Sequence, residues 1–142
     1  MNDDSSLSYD LFVDTSGWYA VTRTSDPYHQ AATESFRRLT RRRGTTFSSN
    51  FVVAETHALL MSRFGTLVAL QFLRSLPLSA VFIERVTSDD EVEAIAILSR
   101  YSDKDFSYTD AVSFAMMRRL GTTEALTADR HFVQFGFQQA RG

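Results

Sequence analysis

The first hydrophobic cluster of the chain, Leu11-Phe12-Val13, ends abruptly on Asp14, and so short an apolar run predicts a buried strand. Helical spacing follows from Ser16 to Arg23, then over a longer stretch from Tyr28 to Arg43, with Pro27 at its start and Gly44 to close it. Thr45-Thr46-Phe47-Ser48 reads as a second strand. Helices are predicted from Asn50 to Phe64, stopped by Gly65, and from Thr66 to Ser75, with Pro77 in the connection that follows. Val81 to Val86 forms a third strand, and Val92, Ile95, Ala96 and Leu98 give Asp89 to Arg100 helical periodicity. The segment Tyr108 to Leu120 is apolar nearly all round, which predicts a buried helix ended by Gly121. A strand at Glu124 to Thr127, a short helix from Asp129 to Gln134 and an edge strand at Gly136 to Gln139 complete the pattern. Short apolar strands alternating with helices imply an α/β fold, a parallel sheet of about five strands covered on both faces. Ligands of such sheets bind beyond the carboxyl ends of the strands, where the strand order reverses.

Composition narrows the function. A chain of 142 residues, 44% hydrophobic and 23% charged, can bury one sizeable core, so a single domain over 1–142 is expected, with residues 1–9 as a flexible N-terminus. No apolar run approaches the roughly 20 residues of a membrane-spanning helix. The acidic start Met1-Asn2-Asp3-Asp4 is the reverse of a secretory leader, so a cytoplasmic protein with no membrane attachment is expected. The absence of cysteine removes disulfides, thiolate catalysis and cysteine-ligated zinc. The three histidines, His29, His57 and His131, show no zinc-like pairing and are expected to be structural.

A net charge of −2 argues against nonspecific coating of nucleic acid. The cations are nearly all arginines, and five of them fall between Arg37 and Arg43. Their planar forks suit phosphate, although a solvated helix face also accounts for them.

The acids are more informative. Asp14 directly follows the first strand and Asp129 stands just past the fourth, so both project from the rim where a site is expected. Glu55 and Asp110 fall among apolar helix neighbours: Phe51, Val52, Ala58 and Leu59 for the first, Phe114 and Met117 for the second. A charge buried there without a partner would cost several kcal/mol or take up a proton. Each acid has a simpler explanation. Ser107-Tyr108-Thr109-Asp110 has the form of a capping box, Glu55 could pair with an arginine, and Asp14 and Asp129 could cap the helices after them. Convergence favours function, because acids from four parts of the sequence are all predicted near one end of one sheet. Crowded carboxylates remain ionised only around a cation, and hard divalent ions meet that demand. One or two such ions can activate water for attack on phosphorus, so the pattern indicates phosphoryl-transfer chemistry.

Four stretches then resemble the PIN-domain ribonucleases, and especially the VapC-type toxins of prokaryotic toxin–antitoxin pairs. They are Phe12-Val13-Asp14-Thr15-Ser16, Val53-Ala54-Glu55-Thr56, Ser107-Tyr108-Thr109-Asp110-Ala111 and Leu126-Thr127-Ala128-Asp129-Arg130-His131-Phe132, the last followed by Gly136-Phe137. The resemblance implies a three-layer α/β/α fold and a magnesium- or manganese-dependent endoribonuclease. It implies that Asp14, Glu55, Asp110 and Asp129 are the catalytic, metal-binding acids, with Asp14 and Asp110 as principal ligands. Ser16 and Thr127 would orient the carboxylates, while Asp103 and Asp105 belong to a solvated loop. Arg37, Arg38, Arg41, Arg42 and Arg130 are candidate RNA contacts, an antitoxin protein is an expected partner, and a homodimer is expected. An RNA-processing nuclease outside any toxin system, or a binding module with a structural ion, are the alternative readings. An aspartate-nucleophile phosphatase is disfavoured because Ser16 stands where a second aspartate is required.

Overall fold

The computed structural model describes residues 9–22, 29–41 and 45–140, apart from the side chains of 29, 32, 35 and 39–41. Five strands form one sheet: β1 (Leu11–Val13), β2 (Thr46–Ser49), β3 (Val81–Glu84), β4 (Glu124–Leu126) and β5 (Gln138–Gln139). Their order is β3-β2-β1-β4-β5 and every pairing is parallel. Between them run α1 (Thr15–Thr22), α2 (His29–Arg41), α3 (Asn50–Phe64), α4 (Thr66–Ser75), α5 (Ser88–Arg100), α6 (Tyr108–Leu120) and α7 (His131–Phe135). The chain steps from β1 to β2 to β3 in one direction, then returns to β4 on the other side of β1 and continues to β5. Right-handed crossovers therefore put α1 to α4 on one face and α5 to α7 on the other. The packing of α1 on α2 and α3, of α3 on α4, and of α5 on α6 agrees with that division. The three-layer α/β/α arrangement expected from the sequence is present.

Capping sets several boundaries. Ser49 accepts a hydrogen bond from the Val52 amide at the start of α3. Ser107 and Asp110 form the anticipated capping box at α6, and Thr87 with Asp90 forms another at α5. Gly121, at φ 73°, closes α6 in the left-handed region that glycine enters without steric penalty. The buried helix is as expected, with Asp110 through Met117 all inside. Around Phe114, the rings of Phe106, Phe132 and Phe135 stand with centroids 5.1, 5.0 and 4.5 Å away. This aromatic group joins α6 to α7.

Some boundaries depart from the sequence reading. β3 stops at Glu84 rather than Val86, because its partner β2 ends where α3 begins, and the Val86 amide bonds to the Asn50 side chain at 2.9 Å. α7 starts at His131, since Asp129 accepts from the His131 amide instead of joining the helix. Tyr9, assigned to the flexible N-terminus, is buried against Phe47, and its hydroxyl donates to Glu84. Residues 1–8, Arg23, Pro27, Tyr28 and 42–44 lie outside the described residues. No helix among the described residues is long and apolar enough to cross a membrane.

Candidate active site

β1 lies at the point where the strand order reverses, with β2 on one side and β4 on the other. The chain leaves β1 at Asp14, which is 5% exposed. Its amide bonds to the Leu126 carbonyl at 3.2 Å, and its own carbonyl receives the Trp18 amide at 3.0 Å. The backbone is thus tied to β4 on one side and α1 on the other. α1 can run so close to β4 only because residue 17 is glycine: a Cβ there would stand 2.2 Å from the Leu126 carbonyl oxygen. Trp18 donates to Ser48 at 3.1 Å, and Ser48 donates to the Val13 carbonyl at 2.7 Å, which pins α1 to the sheet.

Hydroxyls surround the Asp14 carboxyl. Thr127 donates to Oδ2 at 2.9 Å and accepts from the Asp129 amide at 2.9 Å, so its single proton is committed to Asp14. Ser16 lies 3.1 Å from the Thr127 hydroxyl and accepts the Ala128 amide at 2.8 Å. Burial raises the Asp14 pKa to about 7, with smaller contributions from the charges of Asp110 and Asp129; bonds from Thr15 and Thr127 oppose the rise.

Asp110 is the box residue of α6, its Oδ2 accepting from the Ser107 amide at 3.0 Å. Both explanations offered for this acid therefore hold at once: it caps the helix and it faces the cluster. Burial raises its pKa and the charge of Asp129 adds to the effect. His131 brings Nδ1 to 3.0 Å from Asp110 Oδ2 and 3.2 Å from Asp129 Oδ1. Ligand atoms of these three residues all lie within 4.8 Å of one another.

Glu55 requires a correction. The expectation placed it among buried apolar neighbours, but it is exposed, because the core side of α3 is formed by Val52, Thr56 and Leu60. Its Oε1 accepts the Thr15 hydroxyl at 2.6 Å, which draws α3 to the start of α1. The burial argument instead applies to Asp14, which the strand-end reading had placed on an open rim.

A cleft of about 490 Å³ gathers Asp14, Glu55, Asp110 and Asp129, together with His131 and the exposed Asp105. Arg63, two turns beyond Glu55 on α3, is the cation among its described lining residues. Of the arginines singled out from sequence, Arg37, Arg38 and Arg130 do not line it. Arg38 places Nη2 3.9 Å from Glu124, at the amino end of β4 and opposite the acids. The Arg41 side chain and Arg42 lie outside the described residues.

Residues 11–138 match the family model described as the PIN domain. The chain belongs to the PIN-domain family. Among curated PIN-type relatives, it is 34% identical over 131 residues to the 23S rRNA-specific endonuclease VapC20 of Mycobacterium tuberculosis, covering 92% of this chain and 98% of that one. It is 28% identical over 123 residues to the ribonuclease VapC26 of the same organism, over 86% and 89% of the two chains. The crystal structure of M. tuberculosis VapC20, described as a sarcin-ricin loop cleaving toxin, superposes with a TM-score of 0.81 at 35% identity, over 94% of this chain and all of that one. A DNA-bound VapBC complex from Salmonella typhimurium shares the fold at 13% identity, with a TM-score of 0.68 over 92% of this chain and 96% of that one.

PIN domains are a metal-dependent nuclease fold. The donor set here fits a divalent cation: the buried Asp14 and Asp110, both with raised pKa values, lie with the half-buried Asp129, and a positive ion would relieve the cost of their crowding. The sequence reading of this PIN domain did not place His131 at the cleft, expecting it to be structural for want of a second histidine at zinc spacing; the structure sets it beside Asp110 and Asp129. The available signal was its place two residues after Asp129, where a bond from its own amide to that acid turns the ring back into the cluster. It missed Arg63 too, which lies eight residues from Glu55 and hence on the same helix face.

Proposed function

We propose that this protein is a divalent-metal-dependent endoribonuclease acting on structured ribosomal RNA as the toxin of a toxin–antitoxin pair. The observation that carries this reading is the buried, proton-seeking Asp14 beside Asp110 and Asp129 at the strand-order reversal of a PIN domain. The likeness to a 23S rRNA-specific endonuclease over nearly the full length of both chains supports the substrate class. An antitoxin partner, a homodimer and a cytoplasmic site of action belong to the same reading.

Asp14, Asp110 and Asp129 would hold the cation, magnesium or manganese, with Glu55 reaching in from α3. The bound ion supplies Lewis acidity, making water a stronger nucleophile and offsetting charge on phosphate and leaving oxygen. The protein's own groups prepare the site. Thr127 and Ser16 fix the direction of the Asp14 carboxyl, and the Thr15 hydroxyl fixes that of Glu55. Arg63 lies along α3 at a distance of roughly 12 Å from Glu55, far enough to grip a phosphate beyond the one cleaved. Arg130, exposed beside Asp129, is the second candidate for the RNA backbone.

The test is cleavage of ribosomal RNA and of an isolated sarcin-ricin hairpin with magnesium, manganese or EDTA. Asp14→Asn and Asp110→Asn should each lower the rate by more than about a hundredfold, because each removes a proposed ligand rather than an outer support. Wild-type rates in both variants would overturn the assignment.

A further inference from the structure

We propose that His131 is a direct ligand of the cation, its Nδ1 completing with Asp110 and Asp129 a mixed nitrogen–oxygen position. The inference rests on the acid cluster being a metal site, as argued above. His131 is the histidine lining the cleft among the described residues, and neither substrate binding nor carboxylate orientation has yet called on it.

Its placement is enforced. The His131 amide bonds to Asp129 Oδ1 at 2.9 Å, fixing the backbone, and Phe106 packs edge-on against the ring at 5.5 Å and 76°. The ring nitrogen then meets one oxygen from each of two carboxylates, at 3.0 and 3.2 Å. A histidine that only supports a ligand stands behind one carboxylate, on the side away from the ion. This one stands between two, facing the space they share. A neutral imidazole has one N–H and cannot satisfy two anionic oxygens with it equally well. A cation among the three atoms satisfies all of them, with Nε2 keeping the proton. The spacing agrees, since neighbouring ligands of an octahedral ion with bonds of about 2.1 Å stand about 3 Å apart.

The consequence is selectivity. Imidazole nitrogen is a softer donor than carboxylate, and it favours manganese and the later divalent metals over magnesium. An all-carboxylate site would lack that bias.

Electron spin-echo spectroscopy of the Mn²⁺-loaded wild type should show coupling to a directly bound ¹⁴N nucleus. That coupling should vanish in His131→Asn, persist in His57→Ala, and change to the ¹⁵N pattern when histidine alone is ¹⁵N-labelled, a control that needs no substitution. By calorimetry, His131→Asn should lose about tenfold or more in Mn²⁺ affinity while Mg²⁺ affinity stays within about threefold. Mn²⁺ bound in an Asp110-dependent manner without nitrogen coupling, or with equal losses for both ions, overturns the ligand role and leaves the nuclease site standing. Mn²⁺ that fails to bind the wild type, or binds Asp110→Asn as tightly, overturns the metal site and the ligand role together.

Discussion

At Asp14 the protein holds a carboxyl group that keeps its proton up to about pH 7, whereas in the unfolded chain it ionises near 3.8. Between those values the folded state binds more protons, so this group's contribution makes stability fall as pH rises through the window. The size is bounded at roughly 4 kcal/mol by the width of the shift. Asparagine has no proton to lose. Metal-free Asp14→Asn should therefore gain on wild type steadily from pH 4 to pH 8, by up to roughly 4 kcal/mol in urea unfolding. Parallel stability–pH curves for the two proteins would show that Asp14 is not the strained group. Burial was the part of the site least legible in the sequence. Glu55 has apolar neighbours along its helix yet faces the cleft, while Asp14 at a strand end is covered by α1 and the β4 loop. Periodicity reports which face of a helix a residue occupies, but not what lies opposite. His131 escaped for a related reason: its nearness to Asp129 can be read along the chain, but α6 brings Asp110 to its ring from 21 residues away.

Among the elements, α3, α4 and α6 have the bounds read from sequence, because Ser49, Gly65, Ser107 and Gly121 write their ends into the chain. β3 and α7 were overextended, since their ends depend on partners, β2 for the one and Asp129 for the other. The close approach of α1 to β4 at Gly17 was invisible to pattern. Gly17→Ala would force its methyl group into backbone that cannot move without disturbing the sheet. The expected result is a loss of about 3 kcal/mol or more in denaturant unfolding, accompanied by loss of cleavage, because Thr15 and Ser16 move with α1. A soluble variant with wild-type stability and activity would contradict this account of the helix–strand contact.

For the molecule as a whole, the parallel sheet and its two helical layers were readable from alternation alone, but the strand order was not. That order brings the ends of β1 and β4 together and thereby crowds the acids, so the cation and the fold should be energetically linked. A divalent ion at about a hundred times its dissociation constant should stabilise the native state by about 2.7 kcal/mol, several degrees in melting temperature. EDTA should reverse the gain, and Asp14→Asn should show less of it. An equal metal-induced rise in wild type and variant would place the ion elsewhere.

The same strand order governs when the enzyme comes into being. Thr127 and Asp14 are separated by 113 positions, and β4 must insert beside the central strand before the two can meet. A nascent chain carrying β1, β2 and β3 has a sheet with one open side and no completed cluster. A ribosome that has not yet reached β4 thus bears a polypeptide without the assembled acids. The cluster is complete only with the strand that closes the open side of β1, so a chain with the proposed ribosomal-RNA activity would gain it late in its own synthesis.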